Sequence, residues 1–174
     1  MSLKICLLGS LPKGDEARKN WTDWKIDYKN RLSVMPDIEF TDGDAWTDES
    51  RPFELVGHDS YIIKTADLII VNAENKLGAG TAQEMIIAKY FKKPVITILP
   101  KDTHHRKSKI VFNGELIDDW IHPFILTFSD LLVEDLTDCI GWIKELNKGT
   151  ELKIKDITTV DQAVNSFLKF TGRN

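Results

Sequence analysis

Short apolar runs closed by glycine, proline or polar residues alternate in this chain with longer stretches whose apolar positions recur every three or four residues. Lys4-Ile5-Cys6-Leu7-Leu8 stops at Gly9-Ser10 and is followed by Pro12 and Gly14, the pattern of a buried strand feeding a loop. Over about 15–33, Trp21, Trp24, Tyr28 and Leu32 stand at helical spacing and read as packing residues of one helix, with Pro36 ending the element. Ile38-Glu39-Phe40 predicts a brief second strand. The polar stretch 41–52 carries an isolated Trp46, either a lid over a ligand or a Trp folded back on the surface. A helix over 54–65 then leads into Leu68-Ile69-Ile70-Val71, a third strand. Residues 72–80 predict a loop, 81–91 a helix and 94–99 a fourth strand. A basic loop over 101–109, a fifth strand over 124–128, a helix over 129–146 capped by Ser129 or Asp130, and an amphipathic helix over 158–170 complete the pattern.

Strands alternating with helices at this spacing predict an α/β fold, a flavodoxin-like or Rossmann-like three-layer sandwich around a five-stranded parallel sheet. No repeat or linker divides the chain, so residues 1–174 are expected to form a single domain. In such folds ligands bind where the strands end, which selects the loops beginning at Gly9, Asn72 and Pro100. The formal net charge of −4, without a block of basic residues, argues against nucleic acid as a partner. The opening apolar run is too short for a secretory signal and no span is long enough for a membrane helix; a reducing cytoplasm is the expected location. Cys6 and Cys139 make neither a disulfide framework nor a metal pattern, and no cofactor is implied.

The segment Lys76-Leu77-Gly78-Ala79-Gly80-Thr81-Ala82-Gln83-Glu84, between strand and helix, carries the most chemistry. Gly78 and Gly80 permit close approach of a ligand, and a helix start supplies unpaired N–H groups that would keep Glu84 ionised at neutral pH. Thr81-x-x-Glu84 also fits a capping box, which would make the same residues purely structural. The glycines match neither the dinucleotide fingerprint nor a P-loop. Asp59 can face the same cleft, and two carboxylates there suit glycosyl transfer, although taken alone Asp59 reads first as an N-cap or first-turn acid. Asp67 precedes the third strand and reads as a turn or cap residue. His58 neighbours Asp59 and can tune it. His104-His105-Arg106 reads as a solvated loop, since no further His or Cys stands at metal spacing.

Asp59, Ile63, Asp67, the strand 68–71, Gly80, Glu84 and Lys93-Pro94-Val95 follow the order D-x3-I-x3-D, strand, G-x-x-x-E, helix, K-x-V. This order resembles the nucleoside 2-deoxyribosyltransferase superfamily, which includes nucleotide N-glycosidases. The resemblance implies that Glu84 is a nucleophile, that Asp59 assists at sugar and base, and that Gly9-Ser10 lies beside the sugar or its 5′ substituent. It further implies a homodimer or larger assembly in which an asparagine from a neighbouring subunit, here nearest to Asn113, reaches the site. The implied partner is a small-molecule nucleoside or nucleotide, held by Gly9, Ser10, Lys13, Asn72, Gly78, Gly80 and Thr81. The chain departs from the family at Cys6 and Leu7, where a Tyr is common, at Gly78 in place of Asp or Ser, and at Gln83. Gly78-x-Gly80-Thr81-x-x-Glu84 also resembles part of the phosphoribohydrolase signature, and a binding module without catalysis is a third reading. With no arginine in the Gly9–Gly14 loop and Pro12 lacking an N–H, the sequence favours an uncharged 5′-hydroxyl over a phosphate.

Overall fold

In the computed structural model, which describes residues 2–45 and 48–173, the first apolar run forms β1 (Leu3–Gly9). Side-chain alternation sends Ile5 to one side of a sheet and Cys6 and Leu8 to the other. A short helix α1 (Gly14–Arg18) and a second helix α2 (Trp24–Leu32) precede β2 (Ile38–Phe40). Then come α3 (Pro52–Thr65), β3 (Leu68–Asn72), α4 (Ala79–Tyr90) and β4 (Val95–Ile98). An antiparallel pair, β5 (Arg106–Phe112) and β6 (Glu115–Ile121), follows. The chain ends with α5 (Pro123–Phe128), β7 (Leu131–Val133), α6 (Leu136–Asn147) and α7 (Thr159–Thr171).

The main sheet is five-stranded and parallel throughout, in the order β2-β1-β3-β4-β7, as expected of a doubly wound domain. On one face Ile62, Ile63, Met85, Ala88, Ile125 and Phe128, from α3, α4 and α5, pack on Cys6, Leu8, Ile69, Val71 and Val95. On the other, Tyr28 and Leu32 of α2 and Cys139 and Ile143 of α6 cover Ile5, Ile70, Ile96 and Ile98. All five residues of β3 are buried, as befits a strand covered on both sides. The chain leaves β1 towards β2 on one side and reaches β3 on the other, and Gly9 pairs with Asn72 where the two strands end. That junction is the topological switch point at which ligands enter such sheets.

Four expectations require correction. The helix over 15–33 breaks in two because Asp23 restarts it, accepting from the Lys25 N–H at 3.0 Å; Trp21 lies in the connection. The stretch 124–128 is helix α5, not strand. Pro123 is preset for a first helical turn, and Ile125 and Phe128 are buried while Phe124 and Leu126 are exposed, a helical spacing. The fifth strand is instead the three-residue β7. The following helix begins only at Leu136, capped by Asp135, whose carboxylate accepts from the Asp138 N–H at 2.9 Å. Finally, residues 106–109 belong to β5, which joins β6 through Asn113-Gly114, both with positive φ (52° and 83°). Asn-Gly is the preferred pair for such a two-residue hairpin turn. Trp46, read as a possible lid residue, falls outside the described residues.

Neither Ser129 nor Asp130 starts α6; Ser129 instead closes α5, its Oγ donating to the Ile125 carbonyl at 2.7 Å. The Asp130 carboxylate pairs with the Lys89 ammonium of α4, both side chains fully excluded from solvent. Its oxygens also accept from the Val95 N–H and the Lys155 N–H, each at 2.7 Å, while Lys89 Nζ donates to the Lys93 carbonyl at 3.0 Å. The pair therefore joins α4, the start of β4, the entry to β7 and the segment before α7. Removing one partner strands a buried charge, which generally costs about 3–5 kcal/mol. Asp130→Ala should lose stability on that scale in urea unfolding, with the midpoint falling at nearly constant slope.

Candidate active site

A cleft of about 490 Å³ opens at the ends of β1 and β3. Gly9, Ser10 and Lys13 line it from the β1 side, Gly78, Gly80, Thr81 and Glu84 from the start of α4, and Asp59 from α3. Gly9 is dictated by packing: a Cβ there would sit 2.5 Å from Cζ2 of Trp24. The same indole donates Nε1–H to the Ser10 carbonyl at 3.1 Å and meets Tyr28 edge to face, so it fixes the floor of the cleft. Trp24 is thus more than a core residue, since it also lines the site.

The helix start decides between two readings of Glu84. The N-cap of α4 is Gly78 and contributes no side-chain hydrogen bond. Thr81 is therefore already the third helical residue and Glu84 the sixth, so the pair is no capping box. Glu84 also lies beyond the first turn, where free N–H groups would have favoured its charge. Burial instead pushes its carboxyl up to about 7, reinforced by the nearby Asp59 charge and opposed by Lys13. The expectation that a helix dipole keeps Glu84 fully ionised at neutral pH gives way to a group titrating near neutrality. Asp59 is the eighth residue of α3, whose N-cap is Arg51, so it serves neither as a cap nor as a first-turn acid. His58 Nδ1 stands 3.2 Å from Asp59 Oδ1. Asp67 lies at the opposite end of the sheet and accepts from the Lys4 N–H at 2.9 Å, a structural tie.

The loop before α4 is held by groups on several sides. Ser10 Oγ donates to the Lys76 carbonyl, and Tyr28 OH donates to Glu74 at 3.0 Å. Asn72 is buried, and its Oδ1 accepts from the Glu74 N–H at 3.0 Å, so it shapes this loop and does not line the cleft. Asn113 sits at the β5–β6 turn and does not line the cleft of its own chain either. Three cations line the cavity: Lys13, paired with Glu49 at 3.0 Å; buried Lys25, paired with Asp44; and Arg18 of α1. Arg18 Nε donates to the Pro12 carbonyl at 3.3 Å. Sequence reasoning missed Arg18, Lys25 and Glu49, because only the turn of the chain through α1 and α2 brings them to the end of β1.

His104-His105-Arg106 is not a solvated loop: His105 and Arg106 are buried. Among the described residues no group of His, Cys, Asp or Glu could hold a metal ion, and no helix is long and apolar enough to cross a membrane.

No protein-family model and no curated protein matches this chain. Among solved structures it is similar to a CMP N-glycosidase of Clostridium botulinum, BcmB, with 15% identity over 81% of this chain and 98% of the other, at a TM-score of 0.46. It is also similar to a 2-deoxyribosyltransferase of Bacillus psychrosaccharolyticus, with 20% identity over 79% of this chain and 90% of the other, at a TM-score of 0.47.

Because Glu84 binds its proton more tightly in the fold than its ordinary carboxyl value of 4.5, it contributes stability at low pH that is lost as pH rises through about 7. Glu84→Gln, a neutral isostere, should raise Tm at pH 8 by roughly 3–6 °C and change it little at pH 5. Paired thermal melts at the two pH values measure this.

Proposed function

We propose that the cleft cleaves or transfers the N-glycosidic bond of a small nucleoside-type substrate, with Glu84 as nucleophile. The observation that carries the reading is the pairing of a half-buried Glu84, titrating near neutrality, with Asp59 in one cavity at the switch point. The ionised Glu84 carboxylate attacks C1′ of the sugar. The bond from C1′ to the base nitrogen breaks, its electron pair leaves with the base, and the base acquires a proton. Asp59 orients the sugar or relays that proton, and water or an incoming base then displaces the Glu84 ester.

This reading prescribes a pH dependence. Only the carboxylate attacks, so kcat/KM should rise tenfold per pH unit below about 7 and level off above it. Incubation with a panel of nucleosides and their 5′-monophosphates, followed by chromatography of free base, tests the activity. Glu84→Gln should abolish base release while the protein stays folded. Tight binding without release across the panel would leave a nucleotide-binding module instead.

The 5′ substituent is better read from the cleft than from the loop sequence. The lack of an arginine in the Gly9–Gly14 loop favours an uncharged hydroxyl, but Arg18 of α1 lines the same cavity as Lys13 and Ser10. A guanidinium and an ammonium lining one cavity suit a phosphate monoester. Arg18→Ala should therefore raise KM for a monophosphate at least tenfold and leave KM for the matching nucleoside unchanged. Equal KM effects on both would return the uncharged substrate.

The assembly is read as a homodimer or larger oligomer. Helix α7 buries none of its residues, yet shows Val160, Val164, Phe167 and Phe170 to solvent, and the β5–β6 hairpin exposes Val111, Phe112 and Leu116. A second copy covering these faces would make them interior. Light scattering at micromolar concentration should give at least twice the 19.9 kDa chain mass; a monomer would refute it.

A further inference from the structure

We propose that His105 is a positioning residue for the candidate active site: its neutral imidazole holds the loop that launches α4, and so fixes how deeply Glu84 sits in the cleft. The Leu77 N–H, one residue before the Gly78 N-cap, donates to His105 Nε2 at 2.9 Å. An imidazole accepts at Nε2 only when uncharged and protonated on Nδ1, so this bond exists in one ionisation state and one tautomer.

The surroundings favour the uncharged ring, and the Leu77 N–H selects the tautomer. The groups that face His105 are His104 on its own segment, His122 at the end of β6, and Lys76 of the loop it holds, with no carboxylate among them. Burial pushes the imidazole down to about 4, and these neighbours act in the same direction. The backbone that carries the ring is fixed as well. The His122 N–H donates to the His105 carbonyl at 2.8 Å. Next to it, Arg106 grips both Asp119 oxygens at 2.7 and 2.9 Å and donates to the Leu99 carbonyl at 3.1 Å, anchoring the hairpin to the end of β4. On its far side the loop is held by Ser10 through the Lys76 carbonyl and by Tyr28 through Glu74. His105 is thus the hairpin's single side-chain hold, among the described residues, on a loop otherwise tied to β1, β3 and α2.

If His105 sets the depth of Glu84, loosening the loop admits water and returns the Glu84 carboxyl towards its ordinary range, an effect that simple loss of stability does not produce. The inference takes its catalytic meaning from the reading of Glu84 as nucleophile, but its test does not need activity. Glutamate carboxyls labelled with ¹³C are titrated by NMR in the wild-type chain, His105→Leu and His105→Gln, with Glu84→Gln assigning the resonance. His105→Leu, which has no acceptor, should lower the Glu84 midpoint by about one pH unit or more, and His105→Gln, whose amide oxygen can accept from Leu77, should keep it near that of the wild type. A folded His105→Leu chain with an unchanged midpoint and a protected Leu77 amide would overturn the proposal. Should that variant not fold, amide exchange in the wild type decides. Leu77 should lose protection as pH falls from 7 to 4 while Ile70 of β3 keeps it, and uniform behaviour of the two would refute the role. Absence of base release from every substrate would sink the catalytic reading and leave the titration result standing.

Discussion

The Lys89–Asp130 pair is the constraint from which the site follows. A fully buried ammonium and carboxylate are tolerable only when further hydrogen bonds support them, and here the Lys93 carbonyl and the Val95 and Lys155 N–H groups do this. Their attachment points lie on α4, β4, the entry to β7 and the segment leading to α7. Lys155 also donates to the carbonyls of Leu126, Thr127 and Ser129, closing the end of α5. The carboxyl half of α4 is therefore locked in place. Its amino end is held separately, through the ties on the loop before it, and Glu84 sits between the two.

That arrangement explains why a destabilising group is retained. A carboxyl held near neutrality by burial and by a second carboxylate is a cost to folding at higher pH, and a rigid helix is what allows the fold to bear it. The three cations of the cavity moderate the cost unequally. Lys13 acts on Glu84 directly, whereas Lys25 is engaged by Asp44 and Arg18 stands on short α1. The cleft thus brings carboxylates and cations together in one cavity.

Much of the sheet was readable from pattern alone, because β1, β3 and β4 are continuous apolar runs ended by turn residues. Asp59 and Glu84 were readable for a related reason: strand polarity places the two residues at the carboxyl ends of the sheet. The failures have equally local causes. The apolar cluster 124–128 looks like a strand until Pro123 is counted as a helix starter, and three-residue β7 is too short to carry a periodic signal. The Asn-Gly pair at 113–114 is a hairpin signal in its own right, independent of any ligand role for Asn113. His105 could not have been found from sequence, since its partner is a backbone N–H 28 residues away. Arg18 lay hidden for the same reason: its role depends on the break in the first helix that Asp23 imposes.

The contact between Gly9 and Trp24 has an evolutionary side. With the indole 2.5 Å from where a methyl group would stand, neither position can change alone without disturbing the cleft floor. A lineage that gains a side chain at position 9 must first, or at once, shrink the residue at 24, and it then loses the indole N–H that holds the Ser10 carbonyl. Substitutions at the two sites should therefore appear as a correlated pair among descendants of this chain, with glycine and tryptophan inherited together and abandoned together.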